Sequence, residues 1–171
     1  DSDLKYGKWM EKLAEEVGFW IGKKGATLIF GAEKNFDSLP TAACRGAKMA
    51  GGLVIGITFD KGLDILEKNN VDVVIATGSG WGGGREFPLI LSCDAIIAIN
   101  GGSGTLTEIA MAYQADIPIV VLEKTGGWSE KLVGQYLDNR KRVKIKAAKT
   151  PKEAVDLAIK LAKKRYDPTR R

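Results

Sequence analysis

The chain has 171 residues, of which 44% are apolar and 27% are charged, and this composition is typical of one globular domain with a sizeable core. It contains no histidine, which excludes Ser-His-Asp and Cys-His nucleophiles, His-ligated metals and imidazole acid–base catalysis. Two cysteines, Cys44 and Cys93, cannot form a disulfide framework, so we expect a reducing, cytoplasmic compartment. The apolar stretches are too short for a transmembrane helix, and we expect no membrane partner.

The net charge of +5 is unevenly distributed along the chain. Residues 139–171 contain thirteen Lys and Arg against three acidic residues, a local charge of +10, whereas residues 1–138 carry −5. A basic tail can bind nucleic acid, but a charged terminal helix is often only a solvated surface. Tyr166 is the single aromatic residue in this tail, so base stacking has little support, and binding of nucleic acid is a third, less favoured interpretation.

Helical and extended patterns alternate along the chain. Apolar residues at helical spacing, from Met10 to Ile21, predict a first helix that ends near Gly25. We predict five strands over residues 26–30, 53–58, 71–76, 95–99 and 117–122, and an edge strand over 143–145. Further helices are predicted over 38–50, about 85–93, about 104–115, briefly within 123–138, and after Thr150, where Thr150-Pro151-Lys152-Glu153 has the order of a capping box.

The predicted strands are apolar on both faces rather than alternating. Such strands belong to a parallel sheet between two helix layers, so we predict an α/β, Rossmann-like, doubly wound fold in a single domain over residues 1–171. A doubly wound sheet usually begins with a strand, whereas this sequence opens on a helix. We therefore expect a further strand before Asp1.

The turn from Asn100 to Thr105 joins the fourth predicted strand to a helix, and open α/β sheets bind ligands at the carboxyl ends of their strands. Glycines let the backbone approach an anion, and a helix N-terminus offers unpaired N–H groups and a positive dipole end. A phosphate is the expected ligand, although the glycines could simply form a tight turn capped by Ser103 or Thr105. The candidate binding residues are Gly101, Gly102, Ser103, Gly104 and Thr105.

Two charged residues are candidates for chemistry near this turn. Glu108 lies about one turn into the helix, close enough to reach a ribose or a glycosidic bond, or it is only a carboxylate that complements the helix dipole. Arg85 follows a glycine run at the end of the preceding strand, and its guanidinium could fork onto phosphate oxygens or lie on the surface. We predict no metal site and no bound cofactor.

The segment from Arg85 to Glu108 resembles the Lonely Guy (LOG) family and its relatives, the molybdenum-cofactor carrier proteins, whose domain is often mislabelled a lysine decarboxylase. The signature P-G-G-x-G-T-x-x-E is matched at Gly101, Gly102, Gly104, Thr105 and Glu108, and Arg85 stands sixteen residues before Gly101. Ser92-Cys93-Asp94-Ala95, Gly126-Gly127-Trp128 and Tyr136 to Arg140 add weaker similarity, the last two to a carrier-like prokaryotic branch.

The chain departs from that pattern at three places. The signature proline is Asn100, the Arg-Lys pair of the hydrolases is Arg85-Glu86, and the early glycine-rich nucleotide loop is reduced to Gly31-Ala32-Glu33-Lys34-Asn35. The first departure suits the carrier-like branch better than the cytokinin-activating enzymes.

The resemblance implies two functions. One is a nucleoside 5′-monophosphate phosphoribohydrolase, in which the turn holds the phosphate and Arg85 and Glu108 are catalytic. The other is a non-catalytic carrier for molybdenum cofactor or a nucleotide, whose partner is a phosphorylated pterin or a nucleoside monophosphate. The resemblance also implies a homo-oligomer. A pyridoxal-phosphate decarboxylase and a dinucleotide-dependent reductase do not fit the residues.

Overall fold

The computed structural model describes residues 7–59, 61–80 and 84–166. The chain forms two compact units, a first unit over Asp1–Leu89 and a second over Ile90–Arg171. Each unit has its own three-stranded sheet, and every strand pairing in the described residues is parallel. The α/β class predicted from the apolar strands is therefore confirmed, while a single domain over residues 1–171 stays a prediction.

The first unit places two helices on one face of a sheet with the strand order β1-β2-β3. Leu28 and Phe30 of β1 and Val54 of β2 are buried against Cys44 and neighbouring small residues of α2. The elements of this unit are α1 (Lys8–Lys23), β1 (Leu28–Gly31), α2 (Leu39–Met49), β2 (Val54–Thr58), a 3-10 turn (Lys68–Asn70), β3 (Val73–Ala76) and α3 (Glu86–Leu91), which crosses the boundary between units.

Helices α1 and α2 pack closely because each has a glycine at the contact. A Cβ on Gly18 would overlap the carbonyl oxygen of Ala43, and a Cβ on Gly46 would overlap that of Glu15. Glycine therefore sets how near the two helix backbones come, and the small residues of α2 complete the packing.

The second unit has the strand order β4-β5-β6. Side-chain hydrogen bonds fix the start of its last helix. Thr150 Oγ1 accepts a hydrogen bond from Glu153 N at 3.2 Å, and Glu153 Oε2 accepts from Lys149 N at 2.9 Å. The elements are β4 (Ile96–Ala98), α4 (Ser103–Gln114), β5 (Ile119–Leu122), α5 (Gly127–Lys131), β6 (Lys146–Ala148) and α6 (Pro151–Arg165).

The last strand is not where the sequence predicted it, since residues 143–145 were expected to form it and β6 begins at Lys146. Ile145 instead bonds to a turn, donating from its N–H to Gln135 O and accepting from Gly134 N. Its side chain is fully buried, so the apolar signal marked packing rather than strand pairing. Among the described residues, no helix is both long enough and apolar enough to cross a membrane.

A buried tyrosine fixes the loop before β6 to α4. Tyr113 Oη donates to Asp138 Oδ1 at 2.8 Å and accepts from Arg142 N at 3.1 Å. The side chain of Arg140 also donates to Asp138, and these bonds lower the pKa of that carboxyl to about 2, with the Arg140 bond contributing most. The polar residues of the 136–140 segment therefore have a structural role.

We expect Gly46→Ala to destabilise the protein by about 1–3 kcal/mol, the usual range for overpacking, although alanine is the better helix former by ~1 kcal/mol. The matched control is Gly104→Ala, since a Cβ on Gly104 meets nothing within 4 Å and should cost no stability. Urea unfolding measures both variants. Equal or greater stability of Gly46→Ala would show that the α1–α2 contact is not close.

We expect acid to weaken the protein through Asp138. Its folded pKa of about 2 lies below the unfolded value of about 3.9, so its stabilisation is complete above that value and is lost as the pH falls towards 2. Asp138→Asn should therefore flatten the fall in urea midpoint between about pH 4 and pH 2. Tyr113→Phe, which retains the Arg140 bond, should flatten it less. Parallel curves for wild type and Asp138→Asn would contradict this role.

Candidate functional site

The glycine-rich turn lies at the carboxyl end of β4, as predicted. Helix α4 begins at Ser103, and its N-cap is Gly102, which has no side chain to cap with. Neither Ser103 nor Thr105 caps the helix, so the alternative of a capped tight turn is wrong in that detail. The first N–H groups of a helix have no partner within it and lie at the positive end of its dipole, and here Ser103 and Gly104 at that end are exposed.

The glycines of the turn have different roles. Gly101 has φ +98°, and a Cβ there would overlap the Thr105 side chain, so this glycine is required by the turn itself. Gly104 has open space where its Cβ would be. The fold therefore does not require a glycine at position 104. Its missing side chain leaves room for an anion to approach the helix N-terminus.

Asn100 holds the turn in place. It adopts φ +55°, and its side-chain Oδ1 accepts from Gly101 N at 2.6 Å while Nδ2 donates to Thr125 O at 2.7 Å. Its own N–H donates to Thr125 Oγ1 at 2.9 Å, and its carbonyl accepts from Ser129 Oγ at 2.6 Å. Trp128 N donates to Gly101 O at 3.0 Å. Hydrogen bonds therefore join the turn after β4 to the turn after β5.

Sequence reasoning missed this network, although it contains two fully or nearly fully buried hydroxyls, Thr125 and Ser129. The signal was present in the residue type, because Asn tolerates the left-handed region far better than most residues. A proline, which the family signature has at position 100, has φ fixed near −65° and cannot adopt this conformation.

Glu108 lies in the second turn of α4, on the helix that begins at the glycine turn, and is partly exposed. Its charge also acts on Cys93. Burial, which contributes most, and the carboxylates of Asp94 and Glu108 together raise the pKa of the Cys93 thiol to about 11. The thiol is thus protonated at neutral pH and is not a nucleophile.

Arg85, in the first unit, is buried among groups of that unit. Its Nη1 donates to Glu33 Oε1 at 3.0 Å, its Nη2 lies 3.7 Å from Glu86 Oε1, and its guanidinium stacks 4.0 Å from the centre of the Phe59 ring. The backbone of Gly31 packs against the guanidinium, since a Cβ on this glycine would lie 3.0 Å from Arg85 Cζ. We call Glu33, Phe59, Arg85 and Glu86 the Arg85 cluster.

The Arg85 cluster has two carboxylates for one guanidinium, a formal charge of −1. Arg85 is 8% exposed, and within the described residues its Nε and the Oε2 of Glu86 are buried without hydrogen-bond partners. A phosphate would meet two carboxylates here as well as one cation. A ligand-binding or catalytic role for Arg85 stays a prediction.

The geometry therefore groups Gly101, Gly102, Ser103, Gly104, Thr105 and Glu108 on one turn and helix of the second unit. It offers backbone N–H donors, hydroxyls and one carboxylate. In the part of the chain that the structure describes, no group of three or more Cys, Asp or Glu side chains could hold a metal ion.

Two substitutions of Asn100 distinguish the stability contributed by its side-chain hydrogen bonds from that contributed by its backbone conformation. Asn100→Gly keeps the positive φ but removes two hydrogen bonds, at an expected cost of about 1–3 kcal/mol. Asn100→Pro, which restores the signature residue, cannot reach φ +55° and also loses the N–H donated to Thr125, so we expect a cost above ~3 kcal/mol. Urea unfolding gives the order, and a proline variant as stable as the glycine variant would contradict it.

Comparison with known proteins agrees with this fold. An X-ray structure of the protein TM1055 superposes with a TM-score of 0.81 at 30% identity, covering 94% of this chain and 93% of that one. The molybdenum cofactor carrier protein of Chlamydomonas reinhardtii gives a TM-score of 0.75 at 28% identity, with 91% and 89% covered. The molybdenum cofactor binding protein of Rippkaea orientalis gives 0.76 at 28% identity, with 92% and 90% covered.

An uncharacterized protein of Archaeoglobus fulgidus is 38% identical over 103 residues, which are 60% of this chain and 64% of that protein, less than two thirds of its length. The structural likenesses confirm the Rossmann-like fold and the resemblance to the carrier proteins. The model of the SLOG cluster4 family matches residues 5–155. The chain belongs to the SLOG cluster4 family.

Proposed function

We propose that this protein is a non-catalytic carrier that binds a phosphorylated pterin of the molybdenum-cofactor type, with the phosphate on the backbone N–H groups of Gly102 to Thr105. The observation that carries the proposal is the open helix N-terminus at Gly104, where a ligand can approach and no side chain caps the helix. Two structural relatives, a molybdenum cofactor carrier protein and a molybdenum cofactor binding protein, are the reason for choosing a pterin as the ligand. A cytoplasmic location stays a prediction.

The surroundings of Arg85 favour a carrier over a hydrolase. The guanidinium that would orient a ribose or a phosphate in the hydrolase is already paired with Glu33. The neighbouring residue, Lys in the hydrolases, is Glu86, which adds a second negative charge. Both features reduce the electrostatic support that Arg85 could give to a departing or attacking group.

Hydrolysis of a nucleoside 5′-monophosphate is the second candidate, and Glu108 supports it. A carboxylate on the phosphate-binding helix opposes anion binding, yet it would stabilise positive charge on a ribose ring during cleavage of the glycosidic bond. The same carboxylate could also orient the ring of a bound pterin. Turnover therefore distinguishes the two functions, and affinity alone does not.

The experiment compares binding of a pterin monophosphate and of AMP to wild type, Gly104→Val and Thr107→Val by calorimetry. Valine at 104 fills the approach to the helix N-terminus, so affinity should fall roughly tenfold or more, the effect of losing one or more hydrogen bonds to a charged group. Thr107→Val places the same side chain on an exposed position of the same helix and should bind as wild type. Unchanged affinity in Gly104→Val would show that the phosphate does not bind at this helix N-terminus.

Release of free base from AMP is then measured for wild type and Glu108→Gln. A carrier releases no base, and Glu108→Gln alters its affinity only. A hydrolase releases base, and Glu108→Gln lowers turnover by orders of magnitude while binding remains. Base release that persists undiminished in Glu108→Gln would exclude this carboxylate from catalysis.

The carrier is also proposed to be a homo-oligomer that associates through the sheet of the first unit. One face of that sheet is covered by α1 and α2, whereas on the other face Val73 and Ile75 of β3 are 44% and 45% exposed. Ile29 and Ile55 lie in register with Val73, which widens the apolar surface across all three strands. Parallel sheets normally have both faces covered, so a second copy is a suitable partner for this surface.

Ile75→Lys should therefore shift the protein to the monomer at micromolar concentration, measured by light scattering. The control is Leu63→Lys, which alters a loop side chain of the same unit that is 56% exposed. We expect the control to associate as wild type does. A wild-type monomer, or equal masses for both variants, would contradict association through this surface.

A further inference from the structure

A group of lysines converges on the amino edge of the second sheet, the edge at which its strands begin. The last turn of α6 reaches this edge, because Arg165 Nη2 donates to Ala115 O at 3.1 Å and Tyr166 Oη donates to Asp94 Oδ1 at 3.0 Å. Ala115 lies shortly before β5, and Asp94 lies shortly before β4. The topology thus brings the end of α6 to the start of these strands.

The segment that leads into β6 arrives at the same edge. Arg142 Nε donates to Asp116 Oδ1 at 2.9 Å, and Asp116 lies between α4 and β5. The exposed lysines of the two segments carry no ion pair and no side-chain hydrogen bond to any residue that the structure describes. We call this set the amino-edge lysines: Lys141, Lys144, Lys146, Lys160, Lys163 and Lys164.

The acidic groups of this edge do not neutralise these lysines. Asp116 is paired with Arg142 and Asp138 with Arg140, while Asp94 accepts from Tyr166. With Arg140, Arg142 and Arg165, the six lysines make nine basic side chains. The three aspartates make three acidic ones, so the formal charge of this edge is +6. All six lysines belong to the basic segment 139–171 of the sequence, and the fold brings its two parts to the same edge of the sheet.

We infer that the amino-edge lysines form a binding surface for the phosphate backbone of double-stranded nucleic acid, without base recognition. A cluster of unpaired ammonium groups gains affinity by releasing the counterions of a dense polyanion. A lipid surface fits less well, because stable membrane attachment needs an apolar anchor besides a basic surface, and Tyr166 is the only exposed large apolar side chain among the described residues 139–166. Single strands need a row of aromatic side chains, which this edge also lacks.

This surface is separate from the proposed phosphate site. The glycine turn follows the carboxyl end of β4, and the amino-edge lysines lie where the strands of the same sheet begin. The two sites therefore lie at opposite edges of one sheet, and the inference goes beyond the proposed carrier function. A carrier without nucleic-acid affinity and a nucleic-acid binder without a pterin site are distinguishable outcomes.

The test is fluorescence anisotropy with a labelled duplex of mixed sequence, titrated with the full chain at several salt concentrations. If six lysines each neutralise one phosphate, the slope of log affinity against log salt is about −5, and affinity falls roughly a thousandfold between 50 and 200 mM salt. The triple variant Lys160→Glu/Lys163→Glu/Lys164→Glu should reduce the magnitude of the slope by about 3. Glutamate is a good helix former, so α6 should still fold.

The matched control is Lys8→Glu/Lys12→Glu/Lys23→Glu, which changes net charge by the same amount on exposed positions of α1. The inference predicts that this control retains most of the affinity and slope. Equal losses in both triple variants would overturn it, since net charge alone would then explain the binding. So would loss of duplex binding in Gly104→Val, which would place the duplex on the glycine turn. Absence of saturable binding by wild type at low salt would also overturn it, leaving the edge lysines as protection against strand aggregation.

Discussion

The hydrogen bonds of Asn100 are the constraint on which the candidate site depends. A turn of three glycines has no intrinsic shape, because glycine populates both signs of φ with little preference. The side chain of Asn100 satisfies the Gly101 N–H and reaches across to the Thr125 carbonyl, which fixes the peptide planes on either side. The orientation of the first N–H groups of α4 follows from that fixed turn. Replacing Asn100 would therefore change the orientation of these N–H donors, although the donors themselves belong to other residues.

The electrostatics of the Arg85 cluster is the reason for proposing a carrier in preference to a hydrolase. Burying charges is costly unless they are paired, and the Arg85 cluster buries one guanidinium with two carboxylates. Arg85 is held on three sides, by Glu33, by Phe59 and by the backbone at Gly31. Moving the guanidinium onto a ligand would break these contacts and leave a carboxylate without its cation. Arg85 is therefore already engaged by groups of its own unit, and this is why we propose a carrier in preference to a hydrolase.

The sequence predicts well those elements whose signals are local. Thr150 caps α6 as predicted, with Glu153 accepting from Lys149 N, and the glycine turn lies between β4 and α4 where the apolar run and the helical spacing placed it. It predicts poorly what depends on distant partners. The pairing of Arg85 with Glu33 joins residues 52 positions apart, and the Asn100–Thr125 bonds join residues 25 apart. Ile145 misled the strand prediction for the same reason, since its burial comes from tertiary packing.

The second unit also distributes charge in a way that one helix dipole cannot explain. Cations near a helix C-terminus are stabilising only within the last turn, so the dipole of α6 accounts for Lys163 and Lys164. It does not account for Lys144, which lies just before β6, or for Lys146, the first residue of β6. Like charges gathered at one edge repel one another, and pairing with aspartates would have removed that cost. A cluster that keeps its lysines unpaired on two unrelated elements is better explained by an external polyanion than by the fold.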